Sequence, residues 1–274
     1  MKTYFNDRTE AGRLLATQLG DYAQRPNVLV LALPRGGVPV AFEVARALQV
    51  PLDICLVRKL GVPGHSELAM GAIASGGVRV LNYDVVSSLG ISSRTIDEVA
   101  AKELRELQRR DRAYRGDRPP PVIQDQMVIL IDDGIATGAT MRAAIAVLKS
   151  QHPQQIIVAI PVAPAETCQV LRQEVDRVVC LATPAPFYAI GLWYDNFAQT
   201  TDEEVCGLLA RQYEAVRQTP SASAPMTELG GNRHENPRTS RSGIAGHHSS
   251  GVGVVSGSLG DSPRRDWPGA ICPR

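Results

Sequence analysis

The residues with most chemistry to offer lie between Val128 and Thr140, VILIDDGIATGAT. The VILI run reads as a buried strand, so Asp132 and Asp133 emerge at its C-terminal end. Gly134, Ile135, Ala136, Thr137, Gly138, Ala139 and Thr140 follow, bare or hydroxylated except for Ile135, and lead into a helix. A helix N-terminus offers unpaired N–H groups and a positive dipole end, which suit a phosphate monoester. Thr137 and Thr140 add hydroxyl donors. Paired carboxylates suit hydroxyls or a hydrated Mg2+. A molecule carrying both a phosphate and vicinal hydroxyls is a sugar phosphate. An Asp-Asp-Gly turn with Thr137 as N-cap also explains the loop's shape, though not two acids against a hydrophobic strand.

Two further loops carry cations. LPRGGVPV follows an apolar run ending at Leu33. Gly36 and Gly37 let the backbone approach a ligand closely, and Arg35 supplies a planar cation for phosphate oxygens. A tight strand-to-helix turn with an exposed Arg accounts for this loop equally well. In VRKLGVPGHSELAMG, Arg58 and Lys59 leave a second apolar run together. The chain has only four lysines, at 2, 59, 102 and 149. Adjacent cations at a strand end suit a polyanion; taken alone, two solvated surface charges is the simpler reading. Gly61, Pro63 and Gly64 point to a mobile loop, whose closure would bring His65 and Glu67 to a site. No GxxxxGK[ST] occurs and no GxGxxG follows an apolar run, which removes the P-loop and dinucleotide fingerprints.

The scaffold that must position these loops is legible as alternation. Short apolar runs at 27–33, 52–58, 127–132, 155–162 and 177–182 read as strands. Amphipathic stretches at 38–48, 93–116, 139–150, 166–175 and 202–216 read as helices, the last capped by Thr201. In the 93–116 helix, Ile96, Val99, Leu104 and Leu107 fall roughly on one face. Residues 69–82 read as a short hairpin around SGG. Strands apolar on both faces, alternating with helices, imply an α/β fold with a parallel sheet covered on both sides. Such sheets bind ligands beyond their C-terminal strand ends, where all three loops lie.

Composition bounds the rest. Net charge is +1, and 44% of the 274 residues are hydrophobic, as in an ordinary globular domain. That balance gives no reason to expect nucleic-acid or membrane partners, and no apolar run approaches the about 20 residues of a membrane span. The N-terminus lacks an apolar signal core, so a cytoplasmic location is expected. The five cysteines form no CxxC pair, and Cys55 and Cys180 sit in apolar runs as expected buried thiols. From 219 to 274 the chain is rich in Gly, Ser and Pro without periodicity, and a disordered tail is expected after a folded domain at 1–218.

VILIDDGIATGAT resembles the phosphoribosyl pyrophosphate (PRPP) signature of type I phosphoribosyltransferases, with both acids and the TG-x-T end present. PRGG occupies the place of that family's pyrophosphate loop, which often carries a non-proline cis peptide. Arg58 and Lys59 match its basic pair, and the segment after them its mobile flap. Together, LALPRGGVPVA, VRKLGVPGHSELAMGAIA and DDGIATGATMRAA resemble a less characterised bacterial subgroup, some members of which are fused to an α/β-hydrolase domain. The tail carries no G-x-S-x-G elbow and is too short for such a domain.

The resemblance implies a parallel core with a small hood and a flexible flap, and an enzyme that displaces pyrophosphate from PRPP with Mg2+. It assigns Arg35, Arg58 and Lys59, with the N–H groups of Gly36 and Gly37, to the pyrophosphate. Asp132 and Asp133 go to the ribose hydroxyls or metal-bound water, and Gly134–Thr140 to the 5′-phosphate. A general base is not evident; Asp133 and Glu67 are candidates. The hood stretch PFYAIGLWYDNF offers Phe187, Tyr188, Trp193 and Tyr194 as aromatics, with Phe187 and Trp193 as acceptor contacts and Asp195, four residues after Gly191, as a further metal group. Aromatics packing the hood against the sheet is the alternative, and the Phe-to-Gly spacing departs from the family's pattern by one residue. IPVAP (160–164) lacks the lysine that reads a 6-oxopurine, which disfavours a standard hypoxanthine/guanine enzyme. The expected partners are PRPP and a nucleobase-like acceptor, and a homodimer is an allowed assembly. A PRPP-binding regulator without turnover is the competing functional class.

Overall fold

Strands that are apolar on both faces need cover on both, and the order of elements provides it. The computed structural model describes residues 4–218; the expected tail, 219–274, lies outside the described residues. Helix α1 (Arg8–Thr17) precedes β1 (Val28–Ala32), α2 (Gly37–Leu48) and β2 (Leu52–Ile54). An excursion follows through β3 (Val57–Val62), β4 (His65–Ala74), β5 (Arg79–Leu81), α3 (Tyr83–Ser88) and the long α4 (Ser93–Arg115). The chain returns through β6 (Met127–Ile131), α5 (Ala139–Lys149), β7 (Gln155–Val162), α6 (Ala165–Glu174), β8 (Arg177–Ala182) and α7 (Asp202–Gln218).

The main sheet has five parallel strands in the order β2-β1-β6-β7-β8, and β3-β4-β5 form a separate antiparallel sheet. Every residue of β1 and β6 is buried. The period of two along a strand divides their side chains between two cores. Val28, Val30, Ala32, Ile129 and Ile131 pack with α1, α2 and α7. Leu29, Leu31, Val128 and Leu130 pack with α5 and α6. This is the α/β architecture expected from the apolar runs.

The expected second strand, 52–58, divides in two. Ile54 pairs with Ala32, the last residue of β1, so the chain has no further strand to follow and leaves the sheet at Cys55. The departure is anchored by Arg115, which is 3% exposed and lies 3.0 Å from Asp53 Oδ1. Arg58 and Lys59 therefore belong to β3 of the small sheet, not to the end of a core strand. The segment read as a mobile loop is a hairpin, with Val57–Val62 paired antiparallel to β4 around a turn at Pro63–Gly64.

Two helices had no strong sequence signal. In α1 the Asp7 carboxylate accepts from Glu10 N (2.8 Å) and the Glu10 carboxylate from Asn6 N (2.6 Å), a reciprocal pair akin to a capping box. Asn82 caps α3 through Val85 N. In α4, Ile96 and Leu107 are buried, and Val99 and Leu104 pack half-buried beside them. No helix among the described residues is long and apolar enough to cross a membrane.

Cys55 is buried where the chain leaves the sheet, and burial pushes its thiol up to about 12. At pH 8 little thiolate forms, so iodoacetamide should modify Cys55 only as fast as the domain unfolds. Peptide mass spectrometry across a urea titration checks this; rapid labelling without denaturant would contradict it.

Candidate active site

The sheet order sets the loops after β1 and β6 side by side, since Ala32 and Ile131 are partners in register. The Pro34–Arg35 peptide in the first loop is cis. Its glycines are in contact with the acids of the second. A Cβ on Gly36 would lie 2.0 Å from Asp133 Oδ2, and one on Gly37 would lie 2.9 Å from the Asp132 Cα. Only residues without side chains let the two loops meet. Gly37 N donates to Leu33 O (3.1 Å), so its N–H, expected to face an anion, is engaged in the turn.

The two acids are not equivalent. Arg8, at the start of α1, donates from Nε to Asp133 Oδ2 (2.8 Å) and from Nη1 to Ala198 O (2.7 Å). Its guanidinium also lies 4.0 Å from the centroid of the Phe197 ring. Both partners of the Arg8–Asp133 pair are 11% exposed at the side chain. Tyr194 donates its hydroxyl to Asp133 O (2.5 Å), and burial raises that hydroxyl's pKa, with the Asp133 charge adding to the effect. A carboxylate held this way is committed to an ion pair, which argues against Asp133 as general base. Asp132 has no ion-pair partner among the described residues; its Oδ1 accepts from Asp133 N (2.9 Å). Burial, and then the neighbouring Asp133 charge, raise the Asp132 pKa well above the usual carboxylate range. Nothing local in the sequence marked Arg8, which lies 125 residues from its partner.

The 134–140 loop is tied from outside. Ile135 N donates to Val162 O (2.9 Å), and Thr167 Oγ1 to Ala136 O (2.9 Å). The N-cap of α5 is Gly138, with no side-chain bond, and Thr137 Oγ1 sits at 3.5 Å from Ala139 N. Gly138 therefore holds the cap position expected for Thr137, whose hydroxyl, one residue earlier, accepts a long hydrogen bond from Ala139 N. Gly134 carries the hood, because a Cβ there would lie 2.5 Å from Ile190 Cγ2.

That hood is built from both ends of the domain. Phe5 N donates to Trp193 O (2.8 Å), and Asp195 N to Phe5 O (2.8 Å). Trp193 stacks on Tyr4 with centroids 5.6 Å apart, Phe187 is half-buried in the hood cluster, Tyr194 is buried and Tyr188 is exposed. Asp195 is exposed. Among the described residues no group of three Asp, Glu, His or Cys is arranged to hold a metal, so Asp195 does not join the acid pair in such a group.

The cations are dispersed. Arg35 Nη1 lies 3.6 Å from Asp202 Oδ1 at the start of α7. Arg58 Nε donates to Glu103 on α4 (2.7 Å). Lys59 lines two clefts: one of about 640 Å3 reaching Pro34 and Thr140, and one of about 430 Å3 beside Thr137, Asn82 and Thr167. His65 is exposed at the start of β4; the side chain of Glu67 lies outside the described residues.

The profile of the phosphoribosyl transferase domain matches residues 6–192. Two curated Mycobacterium tuberculosis proteins, from strains CDC 1551 and H37Rv, are provisionally named phosphoribosyl transferases. Each is 48% identical over 209 residues, which is 76% of this chain and 47% of theirs. The chain thus spans about half the length of the curated relatives it matches. A solved structure from Thermus thermophilus, TT1426, is 40% identical, with a TM-score of 0.70 over 76% of this chain and 99% of that one.

Removing Arg8 leaves a nearly buried carboxylate unpaired. Arg8→Met should lower stability by about 3 kcal/mol, read as a shift of the urea midpoint; a change within experimental error would show that the pair does not hold the hood. For Asp132 the raised pKa means that stability is full below the unfolded value of about 4 and declines as pH rises through the folded value. Asp132→Asn should therefore raise the melting temperature of the ligand-free chain at pH 8, with the gain shrinking towards pH 4. An equal effect at both pH values would contradict this.

Proposed function

The chain belongs to the phosphoribosyl transferase family of glycosyltransferase-type enzymes, and from that premise we propose that it binds PRPP with Mg2+ and transfers the phosphoribosyl group to a nucleobase-like acceptor, releasing pyrophosphate. The observation that carries this reading is the contact of the Gly36–Gly37 turn with the Asp132–Asp133 pair, next to a helix whose N-cap residue is Gly138. That arrangement supports an anion cradle and hydroxyl acceptors within one small molecule's reach.

The acid pair fits a hydrated divalent cation: only Asp133 is ion-paired, to Arg8, while burial and then the Asp133 charge raise the Asp132 pKa. Mg2+ binds through few carboxylates and keeps its waters, and when bound it would neutralise charge on the leaving pyrophosphate. The chain's own residues do the rest. Asp132 accepts from ribose hydroxyls, while Asp133, fixed by Arg8, keeps Asp132 in place through its backbone N–H. The Gly134–Thr140 loop and the first turn of α5 hold the 5′-phosphate. Arg58 and Lys59 stabilise negative charge as pyrophosphate departs. Arg35 swings from Asp202 to the anion or remains a structural ion pair. Phe187 and Trp193 belong to the hood that takes the acceptor.

Two measurements test the proposal. Calorimetry with PRPP and Mg2+ should give binding that the Asp132→Asn, Asp133→Asn double variant abolishes; unchanged affinity would sink the site assignment. A nucleobase panel with PRPP, scored by pyrophosphate release, should yield an acceptor. PRPP binding without any turnover would instead make the chain a regulatory module.

A further inference from the structure

The cleft of about 640 Å3 has a wall that no motif marks. One side is β3 with Arg58 and Lys59, and the other is α4, which contributes Val99, Lys102, Glu103 and Arg110. These four fall at i, i+3, i+4 and i+11, so they share a helix face. Pro34 and Thr140 also border the cleft, which joins it to the loops described above. Four cations thus line it against one acid, Glu103, which is already paired with Arg58. Arg110 also donates to Glu106 (2.8 Å) outside that lining set. Arg35, the cation of the first loop, is not among the lining residues and faces Asp202. Two of the chain's four lysines, 59 and 102, meet in this one place.

We propose that Lys102 and Arg110 of α4 are diphosphate-binding residues. With Lys59 and Arg58 they make the hairpin–α4 cleft the seat of a pyrophosphate group. This inference rests on the PRPP reading for the source of that group, the donor, but not for its chemistry. A compact ammonium on a flexible stem at 102 and a planar guanidinium at 110 add charge from a helix that lies outside the three loops. Lys102 offsets what Glu103 removes from Arg58, while Arg110 brings a guanidinium whose Nε is shared with Glu106. At about 640 Å3 the cleft is also roomier than one phosphate needs, and Val57 and Ala143 add apolar surface to its lining.

The test is calorimetry on the full chain with inorganic pyrophosphate, PRPP and ribose-5-phosphate as separate probes. Lys102→Ala and Arg110→Gln should each weaken pyrophosphate binding about three- to fivefold, the range one solvated charge supplies. PRPP binding should weaken in parallel and ribose-5-phosphate binding should not. Lys102 is exposed, and Gln retains most of the Arg110 stem, so both variants should keep the wild-type melting temperature. Lys149→Ala, an exposed lysine at the far end of α5, controls for a loss of net charge. Unchanged pyrophosphate affinity in the double variant, or an equal loss in Lys149→Ala, would overturn the proposal. So would wild-type protein that binds pyrophosphate and PRPP simultaneously, because the two would then occupy different places. Wild-type protein that binds pyrophosphate through Lys102 and Arg110 but not PRPP would uphold the cleft and defeat the function proposed above. PRPP binding that is indifferent to both substitutions would do the reverse.

Discussion

Two carboxylates at the mouth of a buried strand are costly, and the remainder of the site depends on how that cost is met. Charge must be paired when water is removed, and leaving one partner alone is worse than having neither. Arg8 pairs with Asp133, and in doing so it commits the start of α1 to the end of β6. The same guanidinium donates to Ala198 O and covers Phe197, so the hood is fastened to the acid pair through one side chain. Phe5 and Tyr194, which pack together at 5.4 Å between centroids, extend that junction. Asp132 is left without an ion-pair partner among the described residues, and burial and the Asp133 charge raise its pKa.

Space follows the same constraint. The Gly36–Gly37 turn can lie against the acids only because neither residue has a Cβ to place there. Gly134 lets Ile190 approach from the hood in the same way. Small residues here serve contacts within the protein as much as any ligand, so their value to binding is indirect: they bring the donors together. The 134–140 loop is likewise fixed by Val162 and Thr167, which belong to the neighbouring β7 and α6.

The excursion between β2 and β6 builds a second sheet that packs against α4 and α5. Its hairpin and α4 meet across a cleft, with the Arg58–Glu103 pair linking them. Cations that the family resemblance assigns to one pyrophosphate are thereby separated: Arg35 goes to α7, while Arg58 and Lys59 stay with the hairpin. Two positions on α4 that no motif marks become their neighbours.

The sequence by itself determined the parallel core, because runs such as VLVLA and MVILI can be satisfied only between two helical layers. It also pointed to the loops after β1 and β6 as the candidate site, since two acids followed by glycines and threonines at a strand end are more than a turn requires. It located α5 and α7 closely, and Thr201 caps α7 through Glu204 N (3.1 Å) as expected. It did not reveal where the 52–58 run breaks, because that depends on β1 ending at Ala32 and on a guanidinium from residue 115. It did not reveal Arg8, Gly138 as the cap of α5, or the stacking of Trp193 on Tyr4. Periodicity and motif spacing report short-range constraints along the chain. Ion pairs and ring contacts between residues a hundred or more positions apart are decided only when the sheet order brings their elements together, and the difference between the two acids of DD is of that second kind.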